Sequence, residues 1–137
     1  MTREDFFKIA GPHFIYILNE SKKKAWEGIL PEDGIRAFYK SDCKKNEDRT
    51  FTETFLFLTD KRLIEVSVSA NRISSESRRF EPISVYKTYK VNELSTPITE
   101  VEEVRIKYQK NKPEKILKKP SDREAEADFK NFIQCLV

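Results

Sequence analysis

The chain has 137 residues and a mass of 16.2 kDa, of which 38% are hydrophobic and 36% charged. That is room for one domain with one core, and ten Phe, five Tyr and one Trp supply its bulk. A net charge of +3 is too near neutral to indicate a nucleic-acid partner, and no run of about 18 apolar residues offers a transmembrane helix.

In chain order, residues 2–10 read as a short helix. Thr2 followed by Asp5 imitates a capping box, with acidic side chains in the first turn where the helix dipole favours them. Gly11-Pro12 stops it. The apolar run His13–Leu18 fits helix or strand by pattern, and helical residues through Trp26 favour helix, with Phe14, Leu18 and Ala25 on one face. Lys22, Lys23 and Lys24 then form a solvated helix face, with a lipid- or phosphate-binding patch as the alternative reading. Leu30-Pro31-Glu32-Asp33-Gly34 is a turn, after which the period changes from helical to alternating.

Ile35–Cys43 reads as a first strand and Lys44–Asp48 as a polar connection. Phe51–Leu58 is a second strand, and its continuous end Phe55-Leu56-Phe57-Leu58 predicts burial on both faces. Thr59-Asp60-Lys61 is a tight turn in which Asp60 eases a positive φ. Leu63–Ala70 alternates, with Ile64, Val66 and Val68 on one face and Glu65, Ser67 and Ser69 on the other. Asn71–Arg79 reads as polar loop. Phe80–Val91 holds a strand interrupted early by Pro82, and Ile98–Tyr108 a strand with Val104, Ile106 and Tyr108 inward. Glu114–Lys119 returns as a short edge strand whose lysines oppose aggregation. Ser121 with Glu124 three residues on signals a helix start. Ala125, Phe129, Phe132, Ile133 and Leu136 follow as one apolar stripe that lies on the sheet. The fold class is α+β, and the order of elements lacks the strand–helix alternation of a Rossmann or TIM architecture.

Scarcity narrows the chemistry. His13 is the one histidine, and Cys43 and Cys135 have no Cys or His neighbour, so no metal site is expected. Cys43 and Cys135 read as a reduced cytosolic thiol and a core filler. Gly11, Gly28 and Gly34 cannot spell a phosphate-cradling loop, and no nucleophile elbow occurs. No cofactor and no enzymatic activity are expected. The N-terminus lacks the charged start and apolar stretch of a signal peptide, and a cytoplasmic location is expected.

The segment Phe55-Leu56-Phe57-Leu58-Thr59-Asp60-Lys61-Arg62-Leu63-Ile64 resembles the strand–turn–strand of bacterial pleckstrin-homology-like (PH-like) domains, and Leu30–Ile35 resembles the approach to their first strand. The resemblance covers residues 30–137 and leaves 1–29 as a helical N-terminal extension. It implies a strongly bent antiparallel sheet, or partly open barrel, of six or seven strands capped by the C-terminal amphipathic helix. It also implies a binding scaffold for a protein, a lipid or a second copy, not an enzyme. One departure stands out. Phosphoinositide-binding PH domains carry a basic residue two positions before an Arg of the second strand, whereas Glu47 stands at that spacing before Arg49.

The expected function is therefore a non-catalytic bacterial interaction module that binds a protein partner or itself by a sheet edge or through the N-terminal helices. In those helices Phe6, Phe7, Phe14 and Tyr16 are expected to cover the sheet. The alternative is an anionic membrane surface or other polyanion, held by Lys40, Lys44 and Lys45 and by Lys107, Lys110 and Lys112 of the 105–119 hairpin. Nucleic acid is disfavoured, because only Tyr108 offers a stacking aromatic within that hairpin.

Overall fold

A computed structural model describes residues 1–10, 20–82, 84–91, 99–108, 113–120 and 123–136. It is α+β. Two helices, α1 (Arg3–Ala10) and α2 (Glu20–Ile29), precede seven strands: β1 (Ile35–Lys45), β2 (Phe51–Thr59), β3 (Arg62–Val68), β4 (Ile73–Arg79), β5 (Ser84–Val91), β6 (Thr99–Lys107) and β7 (Lys115–Lys118). Helix α3 (Arg123–Cys135) closes the chain. The strands form two antiparallel meanders, β1-β2-β3-β4 and β5-β6-β7. No strand pairing joins them into a closed barrel among the described residues.

The main core lies between the two sheets and α3. Tyr39, Leu56, Leu58 and Leu63 enter from the first sheet, Val104, Ile106 and Leu117 from the second together with Tyr108 just after β6, and Phe129, Phe132 and Ile133 from α3 together with Leu136 just after it. This is the apolar stripe expected of the last helix, and its Phe129 and Phe132 rings meet Tyr39 edge-on at 5.1 and 4.9 Å. Glu65 of β3 and Lys115 of β7 add an ion pair that ties one sheet to the other.

A second core lies on the opposite face of the first sheet. Phe38, Phe55, Phe57, Ile64, Val66 and Val68 are covered there by Phe6, Ala10, Trp26 and Leu30 of the N-terminal segment. Burial of β2 on both faces, expected from its continuous apolar run, follows from this arrangement: Phe55 and Phe57 face the helices while Leu56 and Leu58 face α3 and the second sheet. Phe6 packs against Trp26, Phe38 and Phe57 with ring centroids 5.3, 5.0 and 4.9 Å away. The capping box forms as read: the Thr2 hydroxyl accepts from the Asp5 amide at 3.1 Å, and the Asp5 carboxylate accepts from the Thr2 amide at 3.0 Å. Phe14, Tyr16, Leu18, His13 and the helix cap at Ser121 lie outside the described residues.

Three expectations need correction. Asn71–Arg79 is not a loop; most of it is β4, paired with β3 from Arg62↔Arg79 to Val68↔Ile73. Its side chains carry almost no apolar signal, and the strand is made by backbone bonds to β3, which a hydrophobic pattern cannot reveal. Asp60 does not take a positive φ. Among the described non-glycine residues only Arg49 does, in the β1–β2 turn. The β2–β3 turn is closed instead by Thr59, whose hydroxyl accepts from the Arg62 amide at 3.1 Å and reaches the Arg62 carbonyl at 3.3 Å. Lys22 is not on a solvated face. It is 6% exposed, near the buried carboxylate of Glu53, and its ammonium is held below the usual lysine pKa by burial, with Glu53 opposing.

Candidate functional site

Strand β5 is the outer strand of the second sheet, so one of its backbone edges faces no other strand among the described residues. Its pairing with β6 fixes which side chains point where. Lys87 stands opposite Val104 and Tyr89 opposite Val101, with an irregularity between Thr88 and Tyr89. Cross-strand partners share a face. Lys87 and Tyr89 are thereby placed on the face of buried Val104, toward α3.

Between β5 and α3 this leaves a groove of 270 Å³. Val101, Phe129, Ile133 and Tyr89 give it an apolar floor, and Lys87, Lys119, Glu126, Lys130 and Gln134 form its polar margin. It runs into a wider cleft of 590 Å³ through the shared residues Val101, Lys119 and Glu126; there Thr88, Lys90, Glu102, Glu103 and Lys118 are added. Tyr86 and Tyr89 are 55% and 49% exposed, two large aromatic surfaces on one short strand.

The electrostatics of the margin are one-sided. Glu126 is paired with Lys119 at 3.5 Å, and Glu103 with Arg105 at 3.1 Å. Among the described residues no ion pair engages Lys87, Lys90, Lys118 or Lys130, and Glu102 is the one further carboxylate lining these two clefts. Apolar floor and cationic rim together suit a segment with an apolar anchor and acidic flanks.

The lysines proposed from sequence are dispersed. Lys40 is half-buried on β1, 3.7 Å from the Glu53 carboxylate, which is 0% exposed; this pairing occupies it beneath the N-terminal layer. Lys44 and Lys45 are exposed at the far end of β1. Lys107 is exposed on β6, in the other sheet. Lys110 and Lys112 lie outside the described residues. The groove lysines went unread, although Tyr86-Lys87-Thr88-Tyr89-Lys90 interleaves aromatic and basic residues in plain view.

A third cleft, of 630 Å³, opens between the end of α2 and the β2–β3 turn. Asp33, Asp60, Lys61 and Arg62 line it, so its charges balance and favour neither anion nor cation. Among the described residues no group of three or more His, Cys, Asp or Glu side chains is arranged to hold a metal, and no helix is long and apolar enough to cross a membrane. No protein family model matches the chain, and no curated protein or solved structure proves similar to it.

Proposed function

We propose that the chain is a non-catalytic PH-like binding module that takes up an extended, acidic segment of a partner protein along β5, in the groove against α3. The observation that carries this reading is the open β5 edge beside a groove with an apolar floor and a lysine rim. A strand added to that edge gains backbone hydrogen bonds, while the groove receives its inward-pointing side chains. The PH-like part rests on the succession of a four-stranded and a three-stranded antiparallel sheet followed by one amphipathic helix.

Selection from a displayed library of random short peptides tests the proposal. Enriched peptides should be acidic with an apolar residue, and Lys87→Glu and Lys130→Glu should each weaken them about tenfold, near 1.4 kcal/mol. Peptides without acidic bias, or peptides indifferent to both substitutions, would overturn it. So would cosedimentation with phosphatidylserine vesicles that Lys44→Glu/Lys45→Glu abolishes and the groove substitutions leave intact.

A further inference from the structure

Strand β4 presents the outer edge of the first sheet, and its composition is unusual for an ordered strand. Its residues 73–79, Ile-Ser-Ser-Glu-Ser-Arg-Arg, are exposed or half-buried throughout. Its ladder with β3 sets like charges opposite each other twice, Arg62 against Arg79 and Glu65 against Glu76. Such pairs oppose strand association, and each is relieved by neighbours: Lys115 of β7 pairs with Glu65, and the Arg62 guanidinium donates to the Ser77 hydroxyl at 3.1 Å. Glu76 takes Arg78 of its own strand at 2.7 Å, and Arg79 takes Glu81 at 3.1 Å.

The two faces of β4 are distinguishable. Ser75 and Ser77 line the cleft near α2. Arg78 lies on the other face, 6.0 Å from the centre of the Tyr108 ring, and Glu76 shares that face by alternation. We propose that β4 pairs antiparallel with β4 of a second copy of this chain, joining two four-stranded sheets across a two-fold axis at Ser77.

The register follows from charge. A two-fold axis normal to the sheet requires opposed residues to share a face, so the axis must pass at a residue and not between two. Centred on Glu76, the pairing would set Glu76 against its own copy; centred on Arg78, it would set Arg78 against its own copy. Centred on Ser75, it would set Arg72 against Arg78, and centred on Ser74 it would overlap only residues 73–75 of the two strands. Centred on Ser77, Glu76 faces Arg78 of the partner on one side of the sheet, twice by symmetry, and Ser75 faces Arg79 on the other. The small serine at the axis lets the backbones meet. The backbone edge exchanges water for strand partners, but little apolar surface is buried, so a weak, concentration-dependent dimer is the expected form. Self-pairing of β5 would instead crowd Lys87 and Lys90 of both copies onto one short ladder.

Light scattering after size-exclusion chromatography, over a range of loading concentrations, decides the matter. The wild-type chain should pass from monomer to dimer as concentration rises. Glu76→Arg alone and Arg78→Glu alone should each raise the dimer dissociation constant at least tenfold, because each sets like charges across the axis. An equimolar mixture of the two variants should dimerise again, since every cross-axis pair is then unlike. Loss of the pairing within one chain cannot produce that rescue. A wild-type chain monomeric at every concentration, single variants that dimerise like wild type, or a mixture that stays monomeric would each overturn the proposal. Lys87→Glu should leave dimerisation unchanged, which keeps this inference separate from the groove reading.

Discussion

The sharpest test of the architecture is Phe6→Ala. Phe6 is fully buried, and its ring lies between Trp26 and the Phe38 and Phe57 rings of the sheet. Removing a buried phenyl ring costs about 3–5 kcal/mol, and each lost edge-on partner adds about 0.5–1.5 kcal/mol, partly counted already. A total near 4 kcal/mol is a large share of the roughly 7–20 kcal/mol expected for a chain of this size. With a urea m-value of about 2 kcal/mol/M, the midpoint should fall by about 2 M. The single tryptophan makes the experiment unusually direct, because Trp26 reports on the N-terminal layer while far-ultraviolet circular dichroism reports on the sheets. If α1 and α2 are integral, both signals unfold together in the wild type and both shift together in the variant. A tryptophan transition that moves alone, with the dichroism midpoint unchanged, would show that the N-terminal layer is a separable cover, and the second core would lose its place in the fold.

Four further outcomes follow. Phe129→Asp puts a carboxylate into the core beside Tyr39 and should cost several kcal/mol in a thermal melt; an unchanged midpoint would mean that α3 is detached. Thr59→Val removes the hydroxyl that closes the β2–β3 turn and should lower stability by about 1 kcal/mol, whereas Asp60→Gly should stay within about 0.5 kcal/mol because Asp60 holds no positive φ. On the acid side, hydrogen bonds from Thr2 and Thr50 hold Asp5 and Asp48 below their ordinary value of 3.8. Their contribution is present above 3.8 and lost as pH falls through the lowered values, so Thr50→Val should flatten the acid limb of the urea midpoints. On the alkaline side, burial and the nearby Glu65 raise the Tyr39 phenol above its ordinary 10. Its contribution is present below 10 and lost as pH rises beyond it, so phenolate absorbance from Tyr39 should emerge only with unfolding.

Much of the fold is legible in the sequence because the first sheet advertises itself. Alternation in Leu63–Val68 and the unbroken apolar run Phe55–Leu58 gave both the strands and the two-sided burial of β2. The stripe Phe129-Phe132-Ile133-Leu136 showed which face α3 would bury. What escaped was set by partners that no hydrophobic pattern displays. Strand β4 exists because β3 offers it a ladder, and its serines and arginines say nothing of that. Lys22 reads as one of three solvated lysines until Glu53 is placed near it. The groove escaped for the same reason, since Tyr89 and Lys130 are far apart in the chain and meet only once α3 has folded back onto the sheets.

The allocation of faces in this molecule bears on how it meets a partner. The first sheet is covered on one side by α1 and α2 and on the other by α3 and the second sheet. A sheet closed on both faces has its backbone edges left for recognition. On the first sheet, α3 packs along β1, and β4 is the edge opposite; on the second sheet, β5 borders the groove and β7 has only four residues. The β4 and β5 edges differ in chemistry. β4 carries Glu76 between serines and arginines and is complementary to itself, whereas β5 carries lysines and exposed tyrosines and is complementary to something acidic. On the two pairings proposed above, the chain would join its own copy at one edge and hold a second protein at the other. Dimerisation would then present two β5 grooves in one particle, and a partner bearing two acidic segments would gain avidity from their linkage without any new contact.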